Sequence, residues 1–238
     1  PLNDWQAGIS KPDRAMSTTR LIIFAKFPQL GQVKTRLEAL LGAKGCLALH
    51  YALIAHALDL ARNWEQGPVE LWFSERPSQI ELEGVLGLID LPEAVTLCYQ
   101  QGRNLGERMQ YALQSAVDLG DAAVLIGTDC PGQKDVHLNQ ASSLIKSSVE
   151  VAVQPALDGG FVLIGCAGKV PDLGMNIDWG TAKVLNQLES ELEKQQLTIG
   201  KIKAISDLDE EKDFLLLQRD DALFLSKFQN WRESLKKS

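Results

Sequence analysis

Short apolar runs and longer amphipathic stretches take turns along this chain, and each kind predicts a different element. The apolar runs Leu21–Lys26 (LIIFAK), Val69–Ser74, Val95–Tyr99, Val149–Pro155 and Phe161–Cys166 read as strands. Helical spacing runs from Thr35 to Trp64, with Gly42 and Gly45 as break points, and again over Leu105–Leu119 and Asp135–Ser147. In Thr181–Gln196, Val184, Leu185, Leu188 and Leu192 share one helical face. A short helix is expected at Glu81–Leu88, a late strand at Thr198–Ile205, and terminal helices at Asp209–Gln218 and Ala222–Leu235. The alternation predicts an α/β fold: a three-layer α/β/α sandwich around a mostly parallel, mixed sheet. The two close strands around Gly159-Gly160 predict an antiparallel insertion.

The stretch Ala122–Pro131 (AAVLIGTDCP) changes this picture from architecture to chemistry. A buried strand here runs into Thr128, Asp129, Cys130 and Pro131. Open α/β sheets build ligand sites at the carboxyl ends of their strands. A carboxylate delivered there can hold a divalent cation against phosphates. The competing reading is a turn or helix cap.

Three more loops follow strands and carry candidate chemistry. The loop after the first strand holds Lys26, Gly31, Lys34 and Arg36. Lysine meets phosphate as a point charge and arginine as a planar fork. The loop after the third strand, QGRNLGERM, offers Gly102, Leu105 and Gly106 as a nucleotide surface, although Asn104 and Glu107 make an equally good helix start. After the fifth strand, Asp158 precedes Gly159 and Gly160, which either form a hairpin turn or make room for a substrate. After the late strand, Asp207 and Asp209 alternate onto one side and could join Asp129 around Mg²⁺ or Mn²⁺, or Asp209 could cap the next helix.

Composition narrows the class. With 238 residues, 45% hydrophobic and 23% charged, the chain suits one large α/β domain. A net charge of −7 argues against a general nucleic-acid binder but not against one nucleotide. No GxGxxG and no Walker spacing occurs, which weakens dinucleotide and P-loop readings. No apolar run reaches the roughly 18 residues that span a bilayer, so no membrane partner is expected. Four scattered cysteines without a CxxC pair suit a reducing, cytoplasmic setting. His50, His56 and His137 form no metal-binding spacing and are read as structural. Residues 1–19, including Met16, read as an extension preceding a single domain over 20–238.

Taken in order, AKFPQLGQVKTRL, QGRNLGERM, GTDCP, PALDGGFVLIG, DWGTAKVL and DLDEEKDF resemble the bacterial glycosyltransferase-A-like proteins of the selenodomain-associated transferase type. The resemblance implies a nucleotide-diphosphosugar transferase-like fold, similar also to the phospholactate and molybdenum-cofactor guanylyltransferases. It implies that the first loop holds nucleotide phosphates and that Asp129, with Asp207 and Asp209, binds the metal. Trp179 matches a family tryptophan on the substrate side. Phe161 stands where the family commonly has tyrosine, and Gly180 where serine is usual.

The expected activity is a metal-dependent transfer from a nucleotide or nucleotide-sugar to a small-molecule acceptor, glycosyltransferase-like. In it Asp129 and Asp158 would be the catalytic carboxylates, with Asp158 facing the acceptor. Lys34–Leu37 keeps a nucleotidyltransferase in play, and Phe161 and Gly180 keep a binding module without turnover. Base, sugar, acceptor and oligomeric state are open, a homo-oligomer included.

Overall fold

The computed structural model describes residues 18–174 and 176–237. The expected extension up to residue 17 lies outside the described residues. Thr18 and Thr19, counted with it from the sequence, belong to the fold: Thr19 opens the first strand and the Thr18 hydroxyl bonds the Asp121 carboxylate.

Seven strands form one sheet: β1 (Thr19–Ala25), β2 (Val69–Phe73), β3 (Val95–Tyr99), β4 (Ala122–Gly127), β5 (Val151–Pro155), β6 (Phe161–Cys166) and β7 (Ile199–Lys201). Their order is β3-β2-β1-β4-β6-β5-β7. Among the described residues β6 alone runs antiparallel to its neighbours, which places the expected insertion at one strand. The helices are α1 (Glu38–Arg62), α2 (Gln79–Leu86), α3 (Leu105–Asp118), α4 (Asp135–Ser147), α5 (Val184–Lys194), α6 (Glu211–Asp220) and α7 (Ala222–Lys237).

The central strands are apolar throughout because both their faces are covered. Leu21, Ile23 and Ala25 of β1 pack in one core with α1 and α4, while Ile22 and Phe24 pack in the other with α3 and α5. β4 splits the same way, Ala122, Val124 and Ile126 against Ala123 and Leu125. A third cluster joins α1 to the C-terminal helices through Leu49, Leu53, Phe214, Phe224 and Phe228.

Two expectations change. The late strand over 198–205 shrinks to Ile199–Lys201 plus a single bridge from Ala156 to Ile205. Residues 35–62 do form one helical stretch long and apolar enough to cross a membrane by length and composition. More than half of it is buried inside the fold, against β1 and α7, which is how a core helix passes the same test. Gly42, at φ 69°, interrupts it as the sequence suggested.

The sheet turns its strand order at β1 and β4, which lie side by side with Phe24 opposite Gly127. Such a reversal leaves a crevice at the carboxyl ends of the two strands. At the opposite end, Arg20 clamps the sheet: its guanidinium holds Glu70 and Asp121, each at 2.7 Å. The other Glu70 oxygen accepts from Trp72 Nε1 at 2.8 Å. Burial alone would raise the Asp121 pKa, but the Thr18 hydroxyl and Arg20 outweigh it and hold the carboxyl below its ordinary range. Its ionised form therefore stabilises the fold above the ordinary carboxylate range, and that stability is lost as pH falls through the lower folded value.

Arg20→Ala leaves two nearly buried carboxylates without their cation, so it should cost about 3 kcal/mol in urea unfolding at neutral pH. The variant should also lose part of the acid dependence of stability that the wild type shows. An unchanged pH profile would argue against the clamp.

Candidate active site

The loop after β1 and the loop after β4 emerge next to each other. Gln100 pins the first, donating from Nε2 to the carbonyls of Trp72 (3.1 Å) and Ala25 (3.4 Å). Phe27 N donates to Ser74 Oγ at 3.1 Å. The chain then turns through Gly31, around whose Cα no other atoms crowd, and reaches Lys34 in a left-handed conformation at φ 50°. That conformation costs a non-glycine residue about 1 kcal/mol and occurs where the surroundings enforce it.

The enforcement is visible. Lys34 Nζ lies 2.7 Å from Asp129 Oδ1 and donates to the Leu208 carbonyl at 2.6 Å. Its side chain is 4% exposed, while that of Asp129 is 55% exposed. Leu208 N in turn donates to the Asp129 carbonyl at 2.8 Å. The ends of β4 and the 207–209 loop are thus tied by one ammonium and one backbone bond. Desolvation raises the Asp129 pKa, but Lys34, with His50 and Lys26 farther off, overrides it and keeps the carboxyl ionised.

Asp207 and Asp209 flank buried Leu208 and part company. Asp209 pairs with Arg36. Asp207 faces the inner carboxylates: burial, then Asp158, then Asp209 and Asp213, push its pKa up. Helix α6 is capped by Glu210, whose N–H donates to Asp213 at 2.8 Å, so Asp209 is not the cap. Among the described residues no three His, Cys, Asp or Glu side chains converge closely enough to hold a metal ion. Asp129 and Asp207 border the same buried thiol, and Asp209 is held away by Arg36.

Asp158 is exposed, and its Oδ1 accepts from Gly160 N at 2.8 Å. The two glycines after it differ. A Cβ on Gly159, at φ 95°, would lie 2.2 Å from the Ala182 carbonyl, and the Gly159 carbonyl accepts from Leu185 N at 2.9 Å. Gly159 therefore seats α5 and does not make room for a substrate. At Gly160 an added Cβ would meet only the exposed Asp158 carboxylate, with Oδ1 at 3.2 Å, so a side chain there would crowd Asp158 and no backbone.

The third loop is less a nucleotide surface than the sequence suggested. Gly106 lets the Leu173 carbonyl and the Trp179 ring approach α3, with 1.9 Å and 2.8 Å to an added Cβ, and is closed to a ligand. Gly102 packs on the first turn of α3 and its carbonyl accepts from Arg108 Nε. Asn104 caps α3 by accepting from Glu107 N at 2.9 Å. Leu105 remains exposed at the helix start. Trp179 packs edge-to-face with Phe161 at 6.1 Å and reaches Gly106, so it links β6 to the start of α3. Lys26 is exposed, and no ion pair to it occurs among the described residues.

Sequence reasoning missed Leu208 and Gly127, whereas His50, read as structural, is buried and serves the backbone of the first loop. His50 Nε2–H donates to the Lys26 carbonyl at 2.9 Å, which leaves Nδ1 unprotonated and, though buried, without a partner. Burial outweighs that bond, and Asp129's charge, to lower its pKa. Gly127 ends β4 with open space over its Cα. Leu208 acts through its backbone, which no side-chain pattern reveals.

The architecture and this crevice define a nucleotide-diphospho-sugar-transferase-type α/β fold. The chain belongs to the family described as an uncharacterized protein conserved in bacteria (DUF2064), whose model matches residues 57–181. Among solved structures it is similar to a Desulfovibrio desulfuricans G20 protein provisionally assigned as a nucleotide-diphospho-sugar transferase. The two are 28% identical, with a TM-score of 0.80, over 92% of this chain and 95% of that one. The fold is shared with 4-diphosphocytidyl-2C-methyl-D-erythritol synthase of Anaerococcus prevotii DSM 20548, with TM-score 0.55, 9% identity, and 85% and 95% of the two chains covered. It is shared too with a cytidylyltransferase of Leptospira borgpetersenii, with TM-score 0.50, 16% identity, and 92% and 94% covered. No curated protein matches the sequence.

Gly159→Ala should lower the thermal midpoint by several degrees, because it adds a clash to a left-handed backbone, whereas Gly160→Ala should be close to neutral. Equal effects would contradict the packing role. Cys130 is 4% exposed, and burial with Asp129, Asp207 and Asp158 pushes its thiol far above the ordinary range. It should stay unlabelled by a thiol-disulfide reagent at pH 8 until the protein is unfolded.

Proposed function

We propose that this protein transfers a group from a nucleotide or nucleotide-sugar donor to a small acceptor, with a divalent cation, in the glycosyltransferase-like manner. The observation that carries the reading is the meeting of the basic first loop with Asp129, the Leu208 carbonyl and Asp209 at the sheet's reversal. The 28% identity with the Desulfovibrio protein over nearly the whole of both chains supports it. Four free cysteines support a reducing compartment.

In this reading Lys26 and Arg36 meet the donor's phosphates, and Asp129 and Asp207 would hold Mg²⁺ or Mn²⁺. The cation, when bound, offsets charge on the pyrophosphate. The chain's own part is to position and to supply fixed charge, which carries most of the rate in such chemistry. Asp158, exposed at the mouth and oriented by Gly160 N, is placed to accept a proton from the acceptor's attacking group. Phe161 and Trp179 wall the acceptor side. The Lys34–Leu37 element supports a second chemistry, attack at the α-phosphate with release of pyrophosphate.

Incubation with nucleotide-sugars, and separately with nucleoside triphosphates and Mg²⁺, should give free nucleoside diphosphate in the first chemistry and pyrophosphate in the second. Binding without turnover across a broad panel would mark a nucleotide-binding module. Asp129→Asn keeps the backbone bond to Leu208 and should lower Mg²⁺-dependent nucleotide affinity by tenfold or more with the fold intact. Unchanged affinity would remove Asp129 from the site.

A further inference from the structure

Lys34 is unusual among the loop cations. Its ammonium is buried, and two of its three donor positions are spent on oxygens of the protein itself, Asp129 Oδ1 at 2.7 Å and the Leu208 carbonyl at 2.6 Å. Those two oxygens belong to the two segments, the end of β4 and the 207–209 loop, between which a divalent cation would sit. Arg36 does the same at the rim for Asp209. Resting on the donor reading above, we propose that Lys34 is the site's resident cation. It holds β4 and the late acidic loop together in the free protein, and it yields Asp129 only to a divalent cation that arrives with the donor's phosphates.

The charges around it make the two ligands dependent on each other. A bare dication entering at Asp129 meets Lys34 in contact and Lys26 nearby. Bare phosphates meet four carboxylates, Asp129, Asp158, Asp207 and Asp209, two of which are already neutralised from within the protein. A cation bound to phosphate satisfies both sets at once: its charge takes Lys34's place on Asp129, and the phosphates give the freed ammonium a new partner. His50 lies behind Lys26 and is fully buried, so it supplies no competing exposed charge. The left-handed backbone at Lys34 fits a residue held for such a position.

Isothermal titration of the full chain tests this with Mn²⁺ alone, with nucleoside di- and triphosphates of the four common bases in EDTA, and with both together. The wild type should bind Mn²⁺ at least tenfold more tightly when a nucleotide is present, and the nucleotide at least tenfold more tightly with Mn²⁺, since linkage is reciprocal. Lys34→Met should gain at least tenfold for Mn²⁺ alone, and Lys34→Arg, which keeps the charge, should not. Circular dichroism checks that each variant is folded, and Lys34→Gln, which removes the charge but keeps a donor for the Leu208 carbonyl, takes the place of Lys34→Met if that variant is not. Equal Mn²⁺ affinity in wild type and folded Lys34→Met overturns the proposal and leaves the donor reading standing, as does nucleotide binding indifferent to Mn²⁺. Failure of every nucleotide to bind the wild type overturns the donor reading, and with it this proposal.

Discussion

One buried ammonium organises the functional end of this molecule. Lys34 enters from the loop after β1, reaches the carboxylate at the end of β4 and the carbonyl of Leu208, and joins segments more than 170 residues apart in sequence. A buried charge is costly unless paired and hydrogen-bonded. Its partners must therefore stay where they are, and the position of Asp129, the course of the 207–209 loop and the start of α6 all depend on that requirement.

The sheet supplies the frame for this contact. Parallel β1 and β4 lie together where the strand order reverses, so the loops that leave them open on one crevice. Arg20 secures the same two strands, with β2, from the opposite end through Glu70 and Asp121. The glycines divide their labour. Gly106 and Gly159 allow close approach of protein to protein, and Gly31 and Gly127 leave open space over their Cα atoms. An unsubstituted Cα is equally useful for packing and for ligand access, and only its neighbours tell the two apart.

Much of the fold was legible because the two periods, near 3.6 for helices and the continuous apolar runs of doubly covered strands, are local properties. The strands from Leu21 to Cys166 and the helices after them are found close to where the pattern placed them. The late strand failed because residues 202–205 hydrogen-bond to β5 only intermittently, which is a matter of distance in space and not of residue type. The candidate site was legible as a set of strand-end loops. Its internal pairing was not: that Arg36 takes Asp209, that Glu210 and not Asp209 caps α6, and that Leu208 contributes a carbonyl are outcomes of how those loops meet.

The chain's own order of residues determined the α/β class and the delivery of Asp129 and Asp158 to strand ends, because periodicity and strand-end chemistry are written locally. Tertiary structure alone decided which cation meets which carboxylate. Coulomb attraction depends on separation and on exposure to water, and both are set by packing between parts of the chain that no local pattern relates.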